Sequence, residues 1–368
     1  MGKILLFGGT FDPPHKGHRH LLDAALQQEN FDRVFLSPSY IPPHKDHRPS
    51  LSFEARKGLL LARFGEIHGI EVLDLEQKRE GKSYTIDTVT ALAEEYPQDT
   101  LYFLIGSDMF LCFDRWVRSE ELLQRLILVV GSREKGDRPR LEAKKKELEE
   151  RFNCKGILLC DMEAVECASS SLRAAGDGMA EEVLRFMDGE MDVKRVCHTM
   201  QVADYAASLA PKFGIDSEKA YLAGLLHDCT KCYSKEWQVS YAKEQEISLS
   251  SADLACPQVL HQITAPAFAR QRFGCEDDEI LSAIGCHTTG KAGMTPLDML
   301  IFFADACEPS RDYPDVEELR KAGETDLSKG ALMLLEHTVS YIQSKKQFLH
   351  PQTAVARDDL IKELEKNG

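Results

Sequence analysis

Two groups of residues in this chain have types and spacings suited to phosphate chemistry. The first is the unbroken string Gly8-Gly9-Thr10-Phe11-Asp12-Pro13-Pro14-His15-Lys16-Gly17-His18, which follows a short apolar run and leads into a helical pattern. Glycines let backbone approach a ligand closely, and prolines set the turn into a helix. A helix start offers unpaired N–H groups and the positive end of a dipole to an anion. His15 and His18, three residues apart, can both face that anion. The second group is His198, His227, His261 and His287 with the carboxylates Asp228 and Asp305. Imidazole and carboxylate without thiolate favour iron, manganese, zinc or cobalt over a structural zinc, and such sites form between facing helices. Adjacent residues on a helix point about 100° apart, so His227 and Asp228 share a site only if other helices supply further ligands. A single buried histidine is more often a core residue than a ligand. The ordered series carries the reading.

The elements that must position these residues differ between the two halves. Short apolar runs at Lys3–Phe7, Arg33–Leu36, Ile70–Leu75, Leu101–Ile105, Leu126–Val130 and Gly156–Cys160 predict strands. Helical patterns lie between them, such as His20–Gln27 with Leu21, Leu22, Ala25 and Leu26 on one face. That alternation predicts a doubly wound α/β domain, a parallel sheet with helices on both sides. The Lys- and Glu-rich stretch Glu142–Arg151 reads as a solvated helix with i,i+4 pairs. After Arg173 the strand signal ends and an all-α pattern follows. The helices expected are Val193–Phe213, Ser217–Asp228, Lys235–Glu244, Glu276–His287, Pro296–Ala306 and Asp326–Lys345. Gly189 and its acidic neighbours mark the expected boundary, giving domains 1–188 and 189–368.

A chain of 368 residues suits two domains rather than one core, and 43% hydrophobic residues suffice to fill both. The formal net charge of −15 disfavours binding to nucleic-acid backbones, while leaving room for small phosphorylated ligands held by a few local cations. The opening Met1-Gly2-Lys3-Ile4-Leu5-Leu6-Phe7 reads as a buried strand rather than a signal peptide, and no apolar run is long enough to span a membrane. Eleven cysteines at irregular spacing read as reduced thiols, so a cytoplasmic location is expected. Cys229 and Cys232 read as small helix-packing residues, and His44, His47 and His68 as surface residues.

The glycine–histidine string resembles the signature of the nucleotidyltransferase superfamily that carries an HxGH element. Further segments are similar to bacterial nicotinate-mononucleotide adenylyltransferases: Ile41-Pro42-Pro43-His44-Lys45, Ser83-Tyr84-Thr85-Ile86-Asp87-Thr88, Ile105-Gly106-Ser107-Asp108 followed by Trp116, and Ser169-Ser170-Ser171-Leu172-Arg173. Where that family usually reads Ile-Ser-Ser-Thr-x-Ile-Arg, this chain reads Cys167-Ala168-Ser169-Ser170-Ser171-Leu172-Arg173, keeping a hydroxyl and the arginine. The resemblance implies a Rossmann-like fold and transfer of AMP from ATP to nicotinate mononucleotide. It implies that His15, His18 and Arg173 hold the triphosphate together with Mg²⁺. Gly8, Gly9 and Thr10 would supply backbone, and Lys45 and Ser170 phosphate contacts. Tyr84 and Trp116 would stack on the pyridine ring, Thr85 would donate its N–H to the carboxylate, and Asp108 would contact ribose or adenine.

In the second half, His198, His227-Asp228 and Asp305 follow the pattern of the HD superfamily. The segments Ala223-Gly224-Leu225-Leu226-His227-Asp228-x-x-Lys231, His287-Thr288-Thr289-Gly290 and Ala304-Asp305-Ala306-Cys307-Glu308-Pro309-x-Arg311 resemble a bacterial diadenosine tetraphosphate hydrolase group. The resemblance implies that His198, His227, Asp228 and Asp305 hold one divalent metal, iron first, with manganese, cobalt or zinc as alternatives. His261 and His287 would bind either a second metal or substrate phosphates. Asp228 and Lys231 would act in catalysis, with Lys231, Thr288 and Arg311 near phosphates. Two other readings stand for this half: a different nucleotide phosphatase or phosphodiesterase, or a nucleotide-sensing module without turnover.

Overall fold

The apolar runs of the first half form one sheet. A computed structural model describes residues 2–41, 49–79, 84–132, 136–161 and 178–367. Its strands are β1 (Lys3–Gly9), β2 (Arg33–Pro38), β3 (Ile70–Val72), β4 (Thr100–Gly106), β5 (Ile127–Gly131) and β6 (Ile157–Cys160). They lie in the order β3-β2-β1-β4-β5-β6, and every pairing is parallel. β3 ends before the expected Leu75, although Leu73 N–H still donates to Leu36 O at 2.8 Å.

Side chains alternate between two cores, as the pleat requires. Ile4, Leu6, Phe103, Ile105, Leu128 and Val130 face one core with Ile86, Val89, Leu122 and Leu148. Leu5, Phe7, Val34, Leu104 and Val129 face the other with Leu21, Leu22, Leu60 and Phe64. The covering helices are α1 (Lys16–Gln28), α2 (Phe53–Phe64), α3 (Thr85–Glu95), α4 (Ser107–Leu111), α5 (Ser119–Arg125) and α6 (Arg138–Arg151). Because helices cover both faces, strands read as nearly continuous apolar runs. β1 lies between β2 and β4, so the direction of winding reverses there. The crevice outside the carboxyl ends of β1 and β4 is where such sheets bind ligands.

The remainder is helical: α7 (Gly178–Glu190), α8 (Val193–Leu209), α9 (Ser217–Leu226), α10 (Lys235–Glu244), α11 (Ser251–Ala255), α12 (Leu260–Phe273), α13 (Asp278–Ile284), α14 (Pro296–Cys307), α15 (Val316–Thr325), α16 (Leu327–Ser344) and α17 (Pro351–Asn367). The chain divides into compact units between Cys167 and Ala168. The boundary read at Gly189 lies inside α7, whose Phe186 packs on Phe268 and Phe273 of the helical unit at ring separations of 5.5 and 5.3 Å. α12 was not foreseen, because Pro266 sits inside it where a proline usually ends a helix. Among the described residues, no helix is long and apolar enough to cross a membrane.

α8 and α9 meet at unusually short range. A Cβ added to Gly224 would lie 2.5 Å from Ala203 Cα and 2.8 Å from Ala203 N. Backbone on both sides leaves no flexible side chain to yield. Gly224→Ala therefore forces the helices apart, and overpacking of this kind costs about 1–3 kcal/mol. The thermal midpoint of the helical unit, followed by calorimetry on the full chain, should fall by several degrees. An unchanged midpoint would contradict the close helix contact.

Candidate functional site

In the first unit, β1 delivers Gly8 and Gly9 to the crevice, and α1 begins one residue after His15. A Cβ on Gly8 would meet the Phe103 ring at 3.1 Å, and one on Gly9 the Phe11 ring at 3.1 Å. Both glycines thus seat aromatic rings against the strand end, a packing role that the sequence reading did not include. His15 and His18 stand with ring centres 3.8 Å apart, and the His18 ring lies 4.9 Å from Phe11. His18 Nδ1 accepts the backbone N–H of His15 at 3.1 Å. A neutral His18 therefore carries its proton on Nε2, which suits it to donate to an anion.

Two residues not singled out from the sequence brace this loop. Arg56 is buried, and its guanidinium donates to Thr10 O at 2.7 Å, Ser39 O at 2.8 Å and Leu51 O at 3.2 Å. Asp12 accepts the N–H groups of Ser50 at 2.6 Å and Leu51 at 2.9 Å. The loops after β1 and β2 and the entrance to α2 are thereby tied together. The signal was present: Arg56 falls three residues from Phe53 and from Leu59, on the face that α2 buries.

Tyr84 and Trp116 pack, half-buried, on the core shared by α3, α5 and α6. Trp116 sits 5.1 Å from the Phe113 ring and 6.0 Å from Phe103. Thr85 opens α3, so its N–H lies in the first turn, where no intrahelical carbonyl is available. Asp108 is exposed in α4, directly beyond the end of β4, and Thr10 directly follows β1. Lys45, Ser170 and Arg173 lie outside the described residues.

The second unit gathers all of its predicted ligands. α8 brings His198, the turn after α9 brings His227 and Asp228, α12 brings His261, the turn after α13 brings His287, and α14 brings Asp305. His227 Nδ1 donates to Gly224 O at 2.6 Å, and His287 Nδ1 to Ile284 O at 2.8 Å. Both rings therefore present Nε2 as a lone pair to the centre. His227 Nε2 lies 3.7 Å from Asp228 Oδ1 and 3.8 Å from Asp305 Oδ1. His261 Nε2 is 2.9 Å from His287 Nε2 and 3.3 Å from Asp228 Oδ1. Thr288 Oγ1 is 3.3 Å from His261 Nε2. His198 Nε2 contacts Asp305 Oδ1 at 2.9 Å, while its Nδ1 donates to buried Glu308 at 3.2 Å.

Electrostatics follow from this burial. Desolvation drops His227 to about 4, so its imidazole is neutral and able to donate its lone pair. Burial would raise Asp228, yet the charge of Lys231 beside Oδ2 helps to hold it well below the usual carboxylate range. Burial also opposes ionisation of Asp305, but its bond to His198 holds it well below that range. Desolvation works to lower His198, and its bonds to Asp305 and Glu308 outweigh that and raise it. The thiols of Cys229 and Cys232 are pushed up by burial, Cys232 to about 11, so neither offers a thiolate.

Lys231 Nζ pairs with Asp228 Oδ2 at 3.1 Å, and Arg311 Nη2 with Asp305 Oδ1 at 3.0 Å. Glu308 was in a recognised segment but had no assigned role. It also accepts from Ser310 N–H and Ser310 Oγ, each at 2.6 Å, which fixes the carboxylate that orients His198.

The donor set fits a divalent cation. His227 Nε2 and Asp228 Oδ1 are buried without a hydrogen-bond partner among the described residues. Ligand atoms of His198, His227 and Asp305, and again of His227, Asp228 and His287, lie within 4.8 Å of one another. An uncompensated carboxylate oxygen facing imidazole lone pairs is costly unless a cation lies between them.

Comparison with known proteins divides the chain in the same way. Residues 6–175 match the cytidylyltransferase-like family model, and residues 195–310 match the HD domain. A nicotinate-nucleotide adenylyltransferase of Bacillus subtilis is 36% identical over 42% of this chain and 88% of its own length. A symmetrical bis(5'-nucleosyl)-tetraphosphatase of Bacillus subtilis is 33% identical over 49% of this chain and 97% of its own length. A Mycoplasma genitalium protein, named a probable nicotinate-nucleotide adenylyltransferase/Ap4A hydrolase, is 25% identical over 93% of this chain and 99% of its own length. The matched HD domain and the buried ligand set together make the helical unit a divalent-metal protein. The chain belongs, through its N-terminal part, to the nicotinate-nucleotide adenylyltransferase family and, through its C-terminal part, to the symmetrical bis(5'-nucleosyl)-tetraphosphatase family of HD-domain proteins.

Proposed function

We propose that this chain is a bifunctional nucleotide enzyme of the cytoplasm. Its first unit transfers AMP from ATP to nicotinate mononucleotide, yielding deamido-NAD and pyrophosphate. Its second unit hydrolyses diadenosine tetraphosphate to two ADP. The observation that carries this reading is the pairing, in one chain, of a phosphate cradle at the reversal point of the sheet with a buried imidazole–carboxylate cluster. A relative matching almost the full chain bears both activities in its name. The cluster keeps every expected ligand, which speaks against a sensing module without turnover.

For the transferase, the mononucleotide phosphate is already an anion when it attacks the α-phosphorus in line. The protein therefore needs to orient the partners and stabilise charge, not to remove a proton. His18 donates Nε2–H, and His15 and Arg173 complete the grip on the triphosphate, which arrives with Mg²⁺. Gly8, Gly9 and Thr10 line the cradle, while Lys45 and Ser170 add phosphate contacts. Tyr84 and Trp116 flank the pyridine ring, with Thr85 N–H on its carboxylate and Asp108 on ribose or adenine. We place the functional division between the two activities ahead of α7, since that helix packs within the helical unit.

For the hydrolase, His198, His227, Asp228 and Asp305 would hold a divalent metal, iron first and manganese, cobalt or zinc as alternatives. His261 and His287 would serve a second metal or the substrate phosphates. When bound, such a cation supplies Lewis-acid stabilisation of phosphoryl charge and acidifies water. Asp228 orients the attacking water through Oδ1. Lys231, Thr288 and Arg311 meet the phosphates.

In the full chain, His18→Ala should lower adenylyl transfer by about 10²-fold, the usual cost of one transition-state donor. Near wild-type rates in a coupled pyrophosphate assay would remove His18 from the phosphate site. A pocket built for a carboxylate leaves donors unpaired when an amide binds, so kcat/KM should favour nicotinate mononucleotide over its amide. Equal values would count against the Thr85 assignment.

Asp228→Ala should lose bound metal, read by elemental analysis, and lose hydrolysis of diadenosine tetraphosphate while adenylyl transfer continues. Chromatography of the wild-type reaction should show ADP alone. AMP plus ATP would reject the symmetrical assignment. No hydrolysis with Fe²⁺, Mn²⁺ or Co²⁺ would favour the sensing module.

A further inference from the structure

The metal cluster is edged by three fixed cations, one of which has no role so far. Arg195 lies one turn before His198 on α8 and therefore on the same helix face. Its Nη1 reaches Asp228 Oδ2 at 3.5 Å, the same oxygen that Lys231 Nζ contacts at 3.1 Å. Asp228 itself is fully buried, whereas the side chains of Arg195 and Lys231 keep 28% and 35% of their surface exposed. Both therefore span from the buried carboxylate to solvent. At the other carboxylate, Arg311 donates from Nε to Asp305 O at 2.9 Å and from Nη2 to Asp305 Oδ1 at 3.0 Å. Its Nη1 takes part in neither contact, and the side chain is 38% exposed. His227 Nε2 lies between the two carboxylates, 3.7 Å from one and 3.8 Å from the other.

Three carboxylates, Asp228, Asp305 and Glu308, thus face three cations, Arg195, Lys231 and Arg311. A divalent metal drawn to the carboxylates adds uncompensated positive charge, which a polyphosphate can neutralise. The contact of Arg195 at 3.5 Å is long for a charge-assisted hydrogen bond, so little is lost when its guanidinium turns to a phosphate.

We propose that Arg195 and Lys231 form one phosphate grip and Arg311 the other, and that this pair of grips centres the polyphosphate over the cluster. The inference rests on the hydrolase reading above and names what sets its symmetric cut. In that cut, water adds its oxygen to a phosphorus beside the central bridging oxygen, and that P–O bond breaks. The bridging oxygen leaves with the second ADP, and protons pass to solvent. A substrate held on one side only can slide by one phosphate, which would give AMP and ATP.

The test uses the full chain, with diadenosine tetraphosphate as probe and metal content measured on every variant. Arg195→Ala should keep wild-type metal content and lose about ten-fold or more in kcat/KM, the worth of a hydrogen bond between charged groups. The larger share should fall on KM. AMP and ATP should appear among the products, and Arg195→Lys should recover part of the loss and most of the ADP selectivity. Wild-type kcat/KM with ADP alone in Arg195→Ala would overturn the grip. Metal content falling in step with activity would also overturn it, making Arg195 a support of Asp228. A wild-type protein that binds metal but leaves diadenosine tetraphosphate intact would instead sink the hydrolase reading, and the grip with it.

Discussion

A fully buried carboxylate is the constraint around which the helical unit is organised. Asp228 is inaccessible to solvent, and its charge in such a place is tolerable only with close compensation. Oδ2 receives Lys231 and Arg195, while Oδ1 is turned toward the imidazoles of His227, His261 and His287. Four different segments must converge to provide this, which is why helices with little sequence continuity between them form one core. The tautomers of His227 and His287 are set by carbonyls three residues upstream in their own turns. Local helix geometry thus prepares the lone pairs, and tertiary packing aims them.

The parallel sheet imposes a comparable condition on the first unit. Its order forces β1 and β4 to be neighbours whose connections leave on opposite faces, so a crevice opens at their carboxyl ends. Everything the sequence marks as phosphate-binding and falls in the described residues before α2 lies within nine residues of the end of β1. Arg56 and Asp12 hold that loop by bonding to backbone rather than to ligand, so the cradle is braced from beneath. The two histidines are then ordered by the first turn of α1 itself.

Much of this was legible in the residues. Six strands and their parallel arrangement followed from short apolar runs alternating with helical patterns, and α10 matched its expected limits because both ends carry clear polar signals. α12 was hidden by Pro266, and its histidine could be placed in a site only as part of the ordered ligand series. The division between units was read too late because Gly189 suggests a break, whereas the apolar face of α7, through Phe186, commits that helix to the second core. Glu308, Arg56 and Arg195 were missed for one shared reason: charged residues look solvated in sequence, and only packing reveals which of them are held against buried partners.

Gly224 combines two duties that are usually separate. Its carbonyl receives the His227 ring proton, and its missing side chain admits the backbone of Ala203. A methyl group gained at position 224 cannot be answered by one lost at position 203, since the two closest atoms there are the Cα and N of Ala203, which every residue carries. Across descendants of this fold, position 224 should therefore stay glycine whatever residue stands at 203, and the coordination chemistry of His227 would inherit the same evolutionary tether.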